Sequence, residues 1–249
     1  FEIKNGKEVY SDIETEDEYD IRGKSFAQLP KRLQEIILEY QICGIKYLGC
    51  SSDEVARLIR MYNGYRKMNN AQTSITYMPD FAATIKDMIN HPFLLNKCNF
   101  SKGDIKSDIK NKVIMEAVMT NNFIDSWTKN PTVMGKFLND NASEDMFLDV
   151  RIAMNRLDAV VHEEAIYTKH LNKTDLYIVL ANFCEFIEKD SYSDLDYEQF
   201  LRYWFSQIEK AKESDTDGEG NPFVEYLIQI REGSKGKESI MRRLEIMRA

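Results

Sequence analysis

The sequence predicts an α+β protein, with a small α/β part over residues 1–75 and a larger all-helical bundle over 76–249. Three observations carry that expectation. The first ten residues alternate about Asn5-Gly6, the pair preferred in a tight hairpin turn. Gln41–Leu48 (QICGIKYL) is short and rich in Ile and Tyr, as strands are. After Ser74 strand signals fade, and apolar residues recur at helical spacing.

In order, Phe1–Tyr10 (FEIK-NG-KEVY) predicts a β-hairpin, and the acidic, aperiodic Ser11–Asp20 predicts a surface loop. Leu29-Pro30 opens a helix, because proline suits the first helical position. Its stripe is Leu33, Ile36, Ile37 and Tyr40. The strand Gln41–Leu48 follows. Ser51 and Glu54 then form a capping box ahead of a helix to Tyr62. Val55, Leu58, Ile59 and Tyr62 fall on one face and predict its buried side. Asn63-Gly64 ends it, and the stretch to Ser74 predicts a loop crowded with amides.

The second part reads as helices throughout. Pro79 starts one through Phe81, Ile85 and Met88, and Asn90-His91-Pro92 ends it. Others span Ser107–Thr120 and Ser143–Val161, the latter with an acidic first turn that suits the helix dipole. Thr174 caps a helix carrying Leu176, Val179, Leu180, Phe183 and Ile187. Three more carry Phe200–Ile208, Phe223–Ile230 and Ile240–Met247. The Met and aromatic stripes are expected in the core.

Composition narrows the function. At 43% hydrophobic, 249 residues suffice for one large domain or two small ones. No apolar run is long enough to span a membrane, and no signal peptide is evident. Four cysteines (Cys43, Cys50, Cys98, Cys184) share no CxxC spacing, which suits a reduced, cytoplasmic protein. Net charge is −8, with eight acids and two bases in the first twenty residues. Residues 231–249 hold six bases and three acids, so any basic face for nucleic acid lies at that end. The first residue is Phe, which suggests a fragment of a longer chain.

Three familiar patterns fail on spacing. His162 and His170 stand eight residues apart, whereas a zinc-protease pair needs four. Asp215–Gly220 resembles the start of a calcium loop, yet Pro222 and Tyr226 occupy its eighth and twelfth positions. Gly233–Ser239 lacks the spacing of a phosphate loop. No metal is expected.

The stretch from Arg60 to Gln72 carries the strongest signal. Arg60, Met61, Gly64, Met68, Asn69 and Gln72 resemble the R-[LM]-N-x-G-G and [PK]-[LM]-[NS]-x-x-[EQ] pattern of the GmrSD-like restriction-type family. Tyr62 stands where that family has Asn, Tyr65 replaces its second Gly, and its DGQQR motif is absent. The resemblance implies the later part of a ParB/sulfiredoxin-like core over residues 1–75. It also implies nucleotide-linked DNA recognition or cleavage in defence, with a nucleoside triphosphate as cofactor and DNA or a protein as partner. Without DGQQR the chain alone is expected to be inactive. The candidate ligand-binding residues are Arg60, Asn63, Gly64, Asn69 and Gln72. Two roles are open to them. Arg60 can be a charged fork for phosphate, with the amides as readers. Alternatively, Arg60 pairs with a helix acid, and Asn63 and Asn69 bond their own loop backbone. The alternative function is a non-enzymatic protein-binding module, such as a phage-encoded inhibitor of host defence.

Overall fold

The structure, a computed structural model, describes residues 2–4, 7–11, 18–41, 44–63, 68–162, 164–189, 192–213, 220–231 and 236–249, with side chains from residue 18 onward. Contacts divide the chain into two compact units, Phe1–Gly49 and Cys50–Ala249, so the division falls ahead of the expected boundary at residue 75.

The first unit holds β1 (Glu2–Lys4), β2 (Lys7–Ser11), β3 (Glu18–Asp20) and α1 (Lys31–Glu39). The three strands run as an antiparallel meander, with Glu2 opposite Val9 and Val9 opposite Asp20. The expected loop over Ser11–Asp20 therefore contains β3, while residues 12–17 and the Asn5-Gly6 turn lie outside the described residues.

The expected α+β class is overturned: the protein is nearly all-α. An α/β core needs strands joined through helical crossovers. Here the short strands connect only to their sequence neighbours. The predicted strand at 41–48 does not form among the described residues. Its Ile45, Tyr47 and Leu48 are exposed. Strand preference is mostly preference for a packed, pleated surface, and these side chains bury against none.

Besides short turns of 3-10 and π-helix, the second unit comprises twelve α-helices among the described residues. These are α2 (Ser52–Tyr62), α3 (Asn70–Thr76), α4 (Ala82–Met88), α5 (Lys102–Lys106), α6 (Ile109–Asn122), α7 (Pro131–Asn141), α8 (Glu144–Val160), α9 (Ala165–His170), α10 (Leu176–Glu188), α11 (Asp194–Glu213), α12 (Pro222–Arg231) and α13 (Lys237–Arg248). Helices α6 and α10 form its centre and pack on each other. Val113 to Met119 on α6 and Leu176 to Cys184 on α10 are buried around the whole circumference, as central helices are. Helix α6 begins at Ile109 rather than Ser107, because Asp108 adopts a left-handed backbone (φ 55°) that breaks the chain from α5.

Helix α7 was not expected from periodicity. Asn130 caps it by accepting from the amides of Thr132 and Val133, and Pro131 occupies its first position. It packs closely on α3. The segment expected as an amide-rich loop therefore includes helix α3, whose Ala71, Ser74 and Thr76 are buried.

Candidate functional site

The candidate residues sit where α2 turns into α3. The capping box forms as expected: Ser51 Oγ accepts from the Glu54 amide at 3.3 Å, and the Glu54 carboxylate accepts from the Ser51 amide at 2.9 Å. The burial of α2 departs from the expected stripe, of which Leu58 alone is half-buried. Val55, Ile59 and Tyr62 are exposed, and small Ala56 is buried instead. The buried side carries Arg60 inward as well. Its Nη1 donates to the Thr76 carbonyl, and its guanidinium lies 4.5 Å from the centre of the Tyr77 ring. The carbonyl at a helix C-terminus is a natural site for a cation. Arg60 thus takes the internal pairing of its two possible roles, with a carbonyl and a ring in place of a helix acid.

The asparagines bond the backbone as the internal reading requires. Asn69 is the N-cap of α3: its Oδ1 accepts from the Gln72 amide at 3.0 Å, and Gln72 Oε1 accepts from the Asn69 amide at 3.2 Å. Asn63 Nδ2 donates to the Ile59 carbonyl at 2.9 Å. Gly64 lies outside the described residues. Gln72 Nε2 donates to Asp108 Oδ2 at 3.0 Å and ties α3 to the start of α6.

Beside these contacts lies an open hollow of about 720 Å³ lined from α2, α3, α5 and α6. Asn63, Met68, Asn69 and Gln72 line it; Arg60 does not. Asn111 on α6 lines it too, is only 9% exposed, and leaves its Oδ1 without a hydrogen-bond partner. An unmet buried acceptor costs about 1–3 kcal/mol. Periodicity singled out neither Asn111 nor Asp108. The available signal was an amide next to the mostly apolar, buried run Val113–Met119 of α6.

Two further clusters lie in the second unit, one at the start of α10 and one between α9 and α11. Arg243 on α13 is completely buried and donates to Tyr177 Oη at 3.0 Å, the Thr174 carbonyl at 2.8 Å, Asp175 Oδ1 at 2.6 Å and Tyr226 Oη at 3.2 Å. Burial pushes the Tyr226 phenol well above its usual range. His170 is buried, stacked on Phe205 at 4.7 Å between centroids, with Nε2 2.9 Å from Glu209 Oε1 but outside hydrogen-bond geometry. Burial, then the Lys212 and Lys169 ammoniums, lower its pKa to about 4.

Among the described residues no group of three His, Cys, Asp or Glu is placed to hold a metal ion. The Asp215–Gly220 pattern falls almost wholly outside them. Cys50, Cys98 and Cys184 carry free thiols, and burial pushes the Cys184 thiol up to about 12. The basic C-terminal end is largely consumed by internal pairs. Arg242 meets Glu225 and Glu245, Arg248 meets Glu185, Lys237 lies 3.5 Å from Asp125, and Arg243 is buried. Among the described residues no helix is long and apolar enough to cross a membrane. The chain matches no family model, no curated protein and no solved structure.

Proposed function

We propose that the chain serves in a cytoplasmic, GmrSD-like restriction-type defence protein, where it holds a nucleoside triphosphate that is linked to DNA recognition. One observation supports this reading: the residues that carry the resemblance, Met68, Asn69 and Gln72 with the adjoining Asn63, line one hollow beside the unmet amide of Asn111. In this reading Asn69 and Gln72 shape the wall and Arg60 braces it. The chain binds nucleotide without turning it over, since it lacks DGQQR.

Titration of the chain with nucleoside triphosphates, followed by fluorescence anisotropy of labelled duplex DNA, tests the reading. Saturable nucleotide binding that changes DNA affinity is the expected result. Absence of nucleotide binding at millimolar concentration contradicts it.

A second reading is favoured by the outward stripe of α2, where Val55, Ile59, Met61 and Tyr62 are exposed. An apolar stripe on a helix suits a protein partner. This is the non-enzymatic binding module, of which a phage-encoded inhibitor of host defence is one form. It predicts no nucleotide binding, and loss of partner binding on Val55→Glu or Tyr62→Glu.

A further inference from the structure

We infer that a second hollow, lined from the end of α10, the start of α11 and the end of α13, binds a free aromatic amino acid as its zwitterion. It shares no lining residue with the hollow beside α2 and does not rest on the nucleotide reading. Its volume is about 390 Å³, within the range of small-molecule sites. Rings form its apolar wall. Phe186 stands 5.8 Å from Tyr192 and 4.9 Å from Tyr197 between centroids, and Phe200 lies 5.7 Å from Tyr197. Tyr197 is buried and donates to Asn182 Oδ1 at 2.8 Å, so its hydroxyl is spent within the protein. Phe186 and Phe200 are half-buried and Tyr192 is exposed, so this wall is open to an occupant. It suits an aromatic ring packed offset or edge-on against it.

The charges around these rings fall into two unlike sets. Glu185 carries one negative charge and meets two cations, Lys189 Nζ at 2.8 Å and Arg248 Nε at 2.5 Å. One positive charge is left over there. Arg248 makes no other ion pair among the described residues, and its side chain is a third exposed, so its Nη groups can fork onto a carboxylate. Asp196 is the opposite case. Its Oδ2 accepts from the Ser193 amide and hydroxyl, both at 2.7 Å, and it pairs with no cation among the described residues. Its Oδ1 is left to accept from an ammonium. A plain carboxylate is drawn to Arg248 and repelled by Asp196, and for a plain cation the signs reverse. A zwitterion meets both, and its ring covers the apolar wall.

Calorimetric titration of the whole chain with phenylalanine, tyrosine and tryptophan tests this. Three controls go beside the tightest of them: its N-acetyl derivative, which lacks the ammonium, its amide, which lacks the carboxylate, and glycine, which lacks the ring. At least one aromatic amino acid should bind saturably, and each control about tenfold more weakly or worse, the loss expected when one charged contact or the ring is removed. Asp196→Asn keeps an oxygen for Ser193. It should weaken the amino acid about tenfold without weakening the N-acetyl derivative. Arg248→Met should weaken the amino acid to a similar degree without weakening the amide. Thermal melts establish that each variant folds, and if one does not, the other decides. No saturable binding at millimolar amino acid, controls that bind as tightly as the parent, or wild-type affinity in the folded variants overturns the inference.

Discussion

Arg60 and Thr76 close the corner between α2 and α3, the guanidinium donating to the last carbonyl of α3 while it lies over the Tyr77 ring. A charged donor on a carbonyl and a cation over an aromatic face are each worth about 1 kcal/mol or more when half-buried. Arg60→Ala should therefore lower stability by about 1–2 kcal/mol. Arg57 is exposed, and Arg57→Ala should change stability by less than about 0.5 kcal/mol. Urea melts of the two variants check this. Equal, negligible losses would show that the corner does not depend on Arg60.

Gly135 marks a close approach of α7 to α3. A Cβ built there would lie 2.3 Å from the Ser74 carbonyl oxygen and 3.1 Å from Tyr77 Cβ. In an isolated helix Gly→Ala is favourable by about 1 kcal/mol. Here the obstacle is backbone, which cannot swing aside, so α3 and α7 must separate. Gly135→Ala should destabilise by about 2–3 kcal/mol, read as a lower midpoint in a thermal melt. A rise in the midpoint would contradict the packing.

Arg243 and Asp175 form a buried pair at 2.6 Å that ties α13 to the start of α10. Removing one partner strands a buried charge, which costs about 3–5 kcal/mol. Arg243→Ala should lose that much. Arg243→Met with Asp175→Leu should recover much of it, since apolar pairs of similar volume often replace buried ion pairs without loss. A double variant no better than Arg243→Ala would assign the effect to the Tyr177 and Tyr226 contacts instead.

His170 gives the pH dependence a definite sign. Its folded-state pKa is about 4, against an ordinary value of 6.5. Between those values the unfolded chain takes up a proton that the folded chain refuses, so stability falls as pH drops from 6.5 toward 4. Carboxylates such as Glu225, held low by Arg242, add a loss in the same direction at lower pH. Comparing wild type with His170→Gln across that window isolates the histidine. The variant should show the shallower slope; identical slopes would place His170 in contact with solvent.

The helical part was legible where apolar residues recur at helical spacing. Leu176, Val179, Leu180 and Phe183 were read as a stripe and are buried. Helix α7 was missed because its stripe is weak: its buried positions include Gly135, whose value is closeness to Ser74. At α2 the pattern misled. Val55, Ile59 and Tyr62 read as core, but the helix packs through Ala56 and Arg60. A short apolar run cannot say which neighbour it meets, and the run at 41–48 failed as a strand for the same reason. Asn69 and Gln72 were legible as a site and also as a helix cap, because one spacing serves both. Asp108 and Asn111 become part of the site only when α6 folds against α3.

The central claim is that a nucleotide occupies the hollow beside Asn111. Two-dimensional amide NMR of the ¹⁵N-labelled chain, titrated with ATP and CTP, tests it most directly. The account predicts saturable shifts in the side-chain amides of Asn111, Asn69 and Gln72 and in the backbone amide of Asp108, with the α11–α12 region unmoved. Shifts confined to other surfaces, or no shifts at millimolar nucleotide, would contradict it.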